Sequence, residues 1–128
     1  MAAISIEEKP SLNLMILRLS GQLSPEALGE AQKRFYAERK AIHAILDLRG
    51  CSLDLFSLDD FKQALSFSRS AGDFRRGGVT VFVTDSPLQL AVARLYQAYA
   101  ETTPNFPVRV EIAASSAEAE ALVRAAGA

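Results

Sequence analysis

Apolar and polar positions alternate in some stretches of this chain and recur at helical spacing in others, and the two patterns take turns. Ala3 to Glu7 reads as a short strand and Glu8-Lys9-Pro10-Ser11 as a turn. Leu12 to Ser20 is apolar at nearly every position and ends at Gly21, so the two strands are expected to pair as a hairpin. Ser24-Pro25-Glu26 then opens a helix: serine caps free amides, proline suits the first helical position, and an early carboxylate suits the dipole. Leu28, Ala31 and Phe35 form its inner stripe, leaving Lys33, Arg34, Glu38 and Arg39 to solvent. The stretch Ala41 to Leu48 has the branched-apolar content of an interior strand and runs into Arg49-Gly50.

Beyond it the same unit repeats. Ser57 caps a second helix with Asp59 and Asp60 in its first turn, Leu58, Phe61 and Leu65 as its buried stripe, and Gly72 at its end. Val79 to Thr84 is a strand. Ser86-Pro87 starts a third helix lined by Leu88, Ala91, Leu95 and Tyr99, broken at Thr102 to Asn105. Val108, Val110 and Ile112 alternate with Arg109 and Glu111 in a last strand, and Ser115 with Glu118 fits a capping box before a short alanine-rich helix. The order ββαβαβαβα predicts an α/β fold with a mixed, largely parallel sheet of about five strands joined by right-handed crossovers. Alternation within the strands makes one sheet face dry and the other mixed. Helices are therefore expected mainly on one face, with the partly apolar second face, including Ile45 and Phe82, available for self-association as a homodimer.

Composition narrows the class. The 128 residues are expected to form a single domain over 1–128, with 49% hydrophobic and 23% charged side chains. Fourteen basic against fifteen acidic side chains leave a net charge of −1, which gives no pull toward nucleic acid or an anionic membrane. Cys51 is the only cysteine, so no internal disulfide forms; the beginning of the chain lacks a signal-peptide pattern, and no apolar run reaches membrane-spanning length. A cytoplasmic location without membrane insertion is expected.

Candidate chemistry is sparse. Ser57 is a phosphate acceptor at a helix N-terminus or a plain cap, and Ser52 and Asp54 share its loop. Arg49, Asp85 and Ser86 fall at the carboxyl edge of the predicted sheet, where open α/β sheets place ligands. His43, the sole histidine, has no serine or acid at triad spacing, and Cys51 reads as a small buried hydrophobe. Arg75-Arg76-Gly77-Gly78 reads as an exposed basic turn, lacking the geometry of a phosphate loop. Tyr96 and Tyr99, with Phe56, Phe61, Phe67 and Phe74, are core or the lining of an apolar pocket. No nucleophile–base pair, metal cluster or nucleotide loop is legible, so neither an enzyme nor a cofactor is expected.

Three stretches carry a resemblance: Leu46-Asp47-Leu48-Arg49-Gly50, then Val79 to Pro87 continuing through Ala93-Arg94-Leu95-Tyr96-Gln97-Ala98, and Ser116 to Leu122. Together with the element order, they resemble the STAS fold of anti-sigma-factor antagonists, and more closely its SpoIIAA-like branch. The resemblance implies a non-enzymatic regulatory or protein-interaction module, with a regulatory kinase or anti-sigma-type protein as the implied partner. In signalling members, a serine opening the helix after the central strand is phosphorylated. That signature falls on Asp54-Leu55-Phe56-Ser57, where Asp54 and Ser57 match and the following glycine is absent. The alternative function is a carrier or sensor of a small apolar, lipid-like ligand held between helices and sheet.

Overall fold

The structure, a computed structural model, describes residues 3–127. Strands β1 (Ala3–Lys9) and β2 (Leu14–Gln22) form an antiparallel hairpin, closed by a 3-10 turn at Pro10–Leu12 and by Asn13 in the left-handed region. After α1 (Pro25–Glu38) come β3 (His43–Asp47) and the two-residue β4 (Cys51–Ser52). Then follow α2 (Leu58–Ala71), β5 (Gly78–Val83), α3 (Pro87–Thr102), β6 (Val108–Ala113) and α4 (Ser116–Ala125). The sheet runs β1-β2-β3-β5-β6, parallel from β2 onward, with β4 paired in parallel to the end of β2. The predicted order of elements holds, and β4 adds a short strand within the expected loop.

Each helix starts at a serine whose side chain accepts from the amide three residues on: Ser24 from Ala27, Ser57 from Asp60, Ser86 from Gln89 and Ser115 from Glu118. These hydroxyls satisfy donors that a helix start otherwise leaves free, which explains why the starts are readable. Helices α1, α2 and α3 pack on one face. There Leu19, Phe82, Val108 and Val110 meet Leu28, Phe61, Val92 and Ala93, beside a second cluster of Met15, Leu17 and Ala44 with Ala31 and Phe35. Helix α4 alone covers the other face, laying Ala119 and Val123 on Ile45, Val79, Val81 and Val83.

Register corrects the expected self-association face. Leu46, not Ile45, stands opposite Phe82, so Ile45 and Phe82 point to opposite sides of the sheet. Each is 3% exposed, Ile45 beneath α4 and Phe82 against Tyr96 of α3. The mixed face is not left open either: α4 covers its apolar strip, and its charges pair at the margins as Arg18 with Glu7 and Lys9 with Glu120. The stripe expected for α3 is out of phase. Gln89, Val92 and Ala93 are buried, whereas Leu88 and Leu95 are exposed, because the small Ala93 and Val92 let the helix lie close on β6. In α2, Leu65 is buried as expected while Leu58 faces solvent.

Candidate functional site

The carboxyl ends of β3 and β5 carry two loops that the structure joins. The first runs from Arg49 to Ser57. Arg49 follows β3 and turns back on its last residue: its Nε and Nη2 donate to the two Asp47 carboxylate oxygens at 2.9 and 2.8 Å, and its amide donates to Oδ1 at 3.1 Å. Nη2 also reaches Ser116 Oγ at 2.8 Å, tying the loop to the start of α4. The bidentate guanidinium holds the Asp47 carboxyl below its ordinary pKa. Arg49 is thus engaged toward the α4 side rather than held free for a ligand. Gly50, at φ +84, supplies the left-handed turn into β4.

Ser52 lies in β4, where its carbonyl accepts from the Leu23 amide at 3.1 Å and its hydroxyl accepts from the Asp54 amide at 3.2 Å. Asp54 is exposed at the following turn. Ser57 is exposed as well, and it closes a complete capping box with Asp60. Leu55 and Leu58 flank it at 50% and 59% exposure. Between them Phe56 turns inward and stacks on Phe61, with ring centroids 5.1 Å apart.

The second loop holds Asp85 and Ser86. Asp85 is exposed, and Ser86 caps α3. Leu88, in the first turn of α3, is 49% exposed. What joins the loops is Gln89, which sequence reasoning missed. Its Oε1 accepts from the Asp85 amide at 2.9 Å and its Nε2 donates to the Cys51 carbonyl at 3.1 Å. The available signal was the Ser86-Pro87-Leu88-Gln89 spacing of a capping box, although here the glutamine bonds one residue before the cap. Ser57, Asp54, Asp85 and Ser86 therefore share one edge on loops fastened by a buried amide.

The remaining candidates fall elsewhere. Cys51 is buried, and burial followed by the charges of Asp47 and Asp85 pushes its thiol up to about 11, so it is not a thiolate at neutral pH. His43 is fully buried and accepts from the Val79 amide through Nδ1 at 3.1 Å. The basic turn divides. Arg76 is exposed and pairs with Asp73, but Arg75 is buried, against the expectation of an exposed turn, because the 3-10 turn Asp73–Arg75 rolls it under β3 and β5. Of the proposed pocket aromatics, Tyr96 lines an internal cavity, Phe56 and Phe67 line a pocket between α1 and α2, and Phe74 packs edge-on against Tyr36. Among the described residues, no group of histidine, cysteine and carboxylate side chains could hold a metal ion, and no helix is long and apolar enough to cross a membrane.

No family model and no curated protein matches the chain. Solved structures do. The anti-sigma factor antagonist SpoIIAA in its unphosphorylated form shares 16% identity and a TM-score of 0.61, covering 98% of this chain and 100% of that one. The phosphorylated form of the Bacillus cell fate determinant SpoIIAA gives 15%, 0.57, and coverage of 95% and 100%. An uncharacterised DUF3478-family protein of SpoIIAA-like fold from Shewanella loihica gives 17%, 0.58, and coverage of 95% and 93%. The chain has the SpoIIAA-like fold that the sequence patterns resemble.

Proposed function

We propose that this chain is a non-enzymatic regulatory module that binds a protein partner at the carboxyl edge of its sheet, with Ser57 at the centre of the contact. One observation carries the reading. Leu55, Leu58 and Leu88 stand about half exposed at that single edge, while the other large apolar side chains among the described residues are buried or less exposed. Leucines opened to water at the mouths of two fastened loops are disfavoured in a free chain and favoured at a docking surface. The exposed carboxylates of Asp54, Asp59 and Asp85 stand at the same edge. The partner surface that complements them is an apolar socket with a basic rim. The SpoIIAA-like fold supports a regulatory partner of the kinase or anti-sigma type, and Ser57 is the residue this reading proposes as modified.

The test is affinity capture from the source cells using the full chain beside Leu58→Asp and Leu88→Asp, with native mass spectrometry on each. The expected result is one protein held by the unaltered chain at low salt and lost from both variants. Retention unchanged by either substitution, or a homodimer as the only complex, overturns the reading.

A further inference from the structure

Arg75 is buried to 3% exposure and has only uncharged partners. Its Nε donates to the Ile42 carbonyl at 3.0 Å, its Nη1 to the Tyr36 hydroxyl at 3.2 Å, and its Nη2 to the Val79 carbonyl at 3.3 Å and Thr80 Oγ1 at 2.8 Å. Phe35 and Tyr36 present their rings to it at 5.2 and 5.9 Å. Among the described residues, no ion pair includes it. A buried cation without a counter-charge is costly, and burial accordingly pushes its pKa down.

That guanidinium helps to wall a cavity of about 70 Å³ between the sheet and helices α1 to α3, in which it is the sole charged group among the described residues. The other walls are mainly apolar, with Leu46, Phe82, Val108 and Val110 among them. Donors remain available. Each terminal guanidinium nitrogen carries a pair of protons, and Nη1 uses only one; the Tyr36 hydroxyl accepts from Arg75 and keeps its own proton to donate. Tyr96 also lines the space, held in its neutral, proton-bearing form by burial and then by Tyr36.

A second pocket of about 230 Å³ shares Leu28, Gln32 and Ala64 with the first and opens between α1 and α2 beside Gly29. Gln32 Nε2 fastens that seam by donating to the Ala64 carbonyl at 3.0 Å and Ser68 Oγ at 2.7 Å. Gln32 and Ala64 border both spaces, and Ser68 borders the inner one.

We propose that this paired cavity binds a monocarboxylate with an apolar body, of the size of a medium-chain fatty acid, its carboxylate on Arg75 and its tail leaving between α1 and α2. One negative charge neutralises one buried positive charge, whereas a dianion leaves an excess charge among apolar walls. The inner space is well under the roughly 300 Å³ of an ordinary ligand pocket, so it takes the headgroup and first carbons while the outer pocket takes the rest. The headgroup end of this site lies away from the carboxyl-edge surface; the outer pocket is bordered by Phe56 and Asp60 beside Ser57, and the proposal does not rest on that surface.

The test is calorimetric titration of the full chain with octanoate, octan-1-ol and inorganic phosphate, with carboxyl-labelled octanoate followed by NMR. Octanoate is expected to bind at least about tenfold more tightly than octanol, the margin of a charge-assisted hydrogen bond. Arg75→Met is expected to erase that margin. Because that variant strips buried carbonyls of a donor, Gly29→Leu is the second probe. A Cβ at that position meets nothing within 4 Å and leucine favours the helix over glycine, so the variant is expected to fold; the bulk beyond Cβ fills the mouth, and octanoate binding weakened about tenfold or more is expected. Equal affinity for octanol, binding of phosphate as tight as that of octanoate, absence of octanoate binding, or unchanged binding in Gly29→Leu overturns the proposal.

Discussion

Ser57 and Asp60 hold each other reciprocally: the serine hydroxyl donates to Asp60 Oδ2 at 2.9 Å and accepts from the Asp60 amide at 3.2 Å, while Oδ2 also accepts from the Ser57 amide at 2.8 Å. Ser57→Ala removes the hydroxyl from this box. The expected loss is about 1 kcal/mol of stability, read from thermal or urea unfolding, with Ser52→Ala costing less. A phosphate on Ser57 gains from the helix N-terminus but can no longer donate to Asp60, and it sets like charges together. The Asp60 amide and side-chain resonances are therefore expected to shift most on phosphorylation in vitro. Their staying in place means that the box survives.

The pairing of Asp47 with Arg49 makes stability depend on pH at the acid end. The carboxyl titrates lower folded than unfolded, so its contribution is full above the unfolded value and disappears as pH falls through the folded one. Unfolding followed from pH 6 to pH 2 is expected to lose stability below about pH 4. Asp47→Asn is expected to flatten that limb and to cost about 1 kcal/mol at neutral pH, a figure kept low by solvent screening at the half-open Arg49 end.

His43 gives a second, separate window. Burial, followed by the charges of Arg75 and Arg109, lowers its pKa, and its Nδ1 lone pair is committed to the Val79 amide. The unfolded chain therefore binds a proton that the folded chain refuses, and stability falls as pH drops from 7 through the unfolded value of about 6.5. His43→Gln is expected to flatten the slope between pH 7.5 and 5.5. A slope identical in the variant assigns the effect to other groups.

Much of this architecture was legible because it is written locally. Four serine caps, the alternation in β5 and β6 and the apolar run of β2 each act within a few residues. What escaped depends on partners distant in sequence. The facing of Ile45 and Phe82 follows from a one-residue register between β3 and β5, and a slip of one residue inverts every side chain. Leu58 and Leu88 fit the buried stripes by spacing yet stand at the open ends of their helices. Arg75 looked like a surface turn because the Ile42 and Tyr36 groups that help to hold it inside lie more than thirty residues earlier, although its other acceptors, Val79 and Thr80, are close in sequence. The loop residues Ser57, Asp85 and Ser86 were found from turn chemistry, whereas Gln89, which fastens their loops, looks like any helix-surface glutamine.

Ile45 and Phe82 are accordingly residues of the monomer core. Phe82→Ala is expected to cost about 3–5 kcal/mol and Ile45→Ala about 2–5 kcal/mol, measured by chemical unfolding. Variants that stay as stable as the unaltered chain contradict the burial described above.

Gln89 is buried and bridges two backbone groups, the Asp85 amide and the Cys51 carbonyl. Gln89→Leu is expected to cost about 1–3 kcal/mol and to raise amide exchange at Asp85 selectively. Protection at Asp85 equal to that in the unaltered chain shows that the loops are fastened by something else.

Among the described residues, helix α4 follows every strand in chain order and is the sole helix on its face. Until Ser116–Ala125 has been made, the nascent sheet carries an uncovered strip of Ile45, Val79, Val81 and Val83. Synthesis therefore passes through an interval in which three helices have their partners and one hydrophobic surface has none. In that interval the chain is open to chaperones and to other nascent copies of itself, and docking of Ala119 and Val123 ends it.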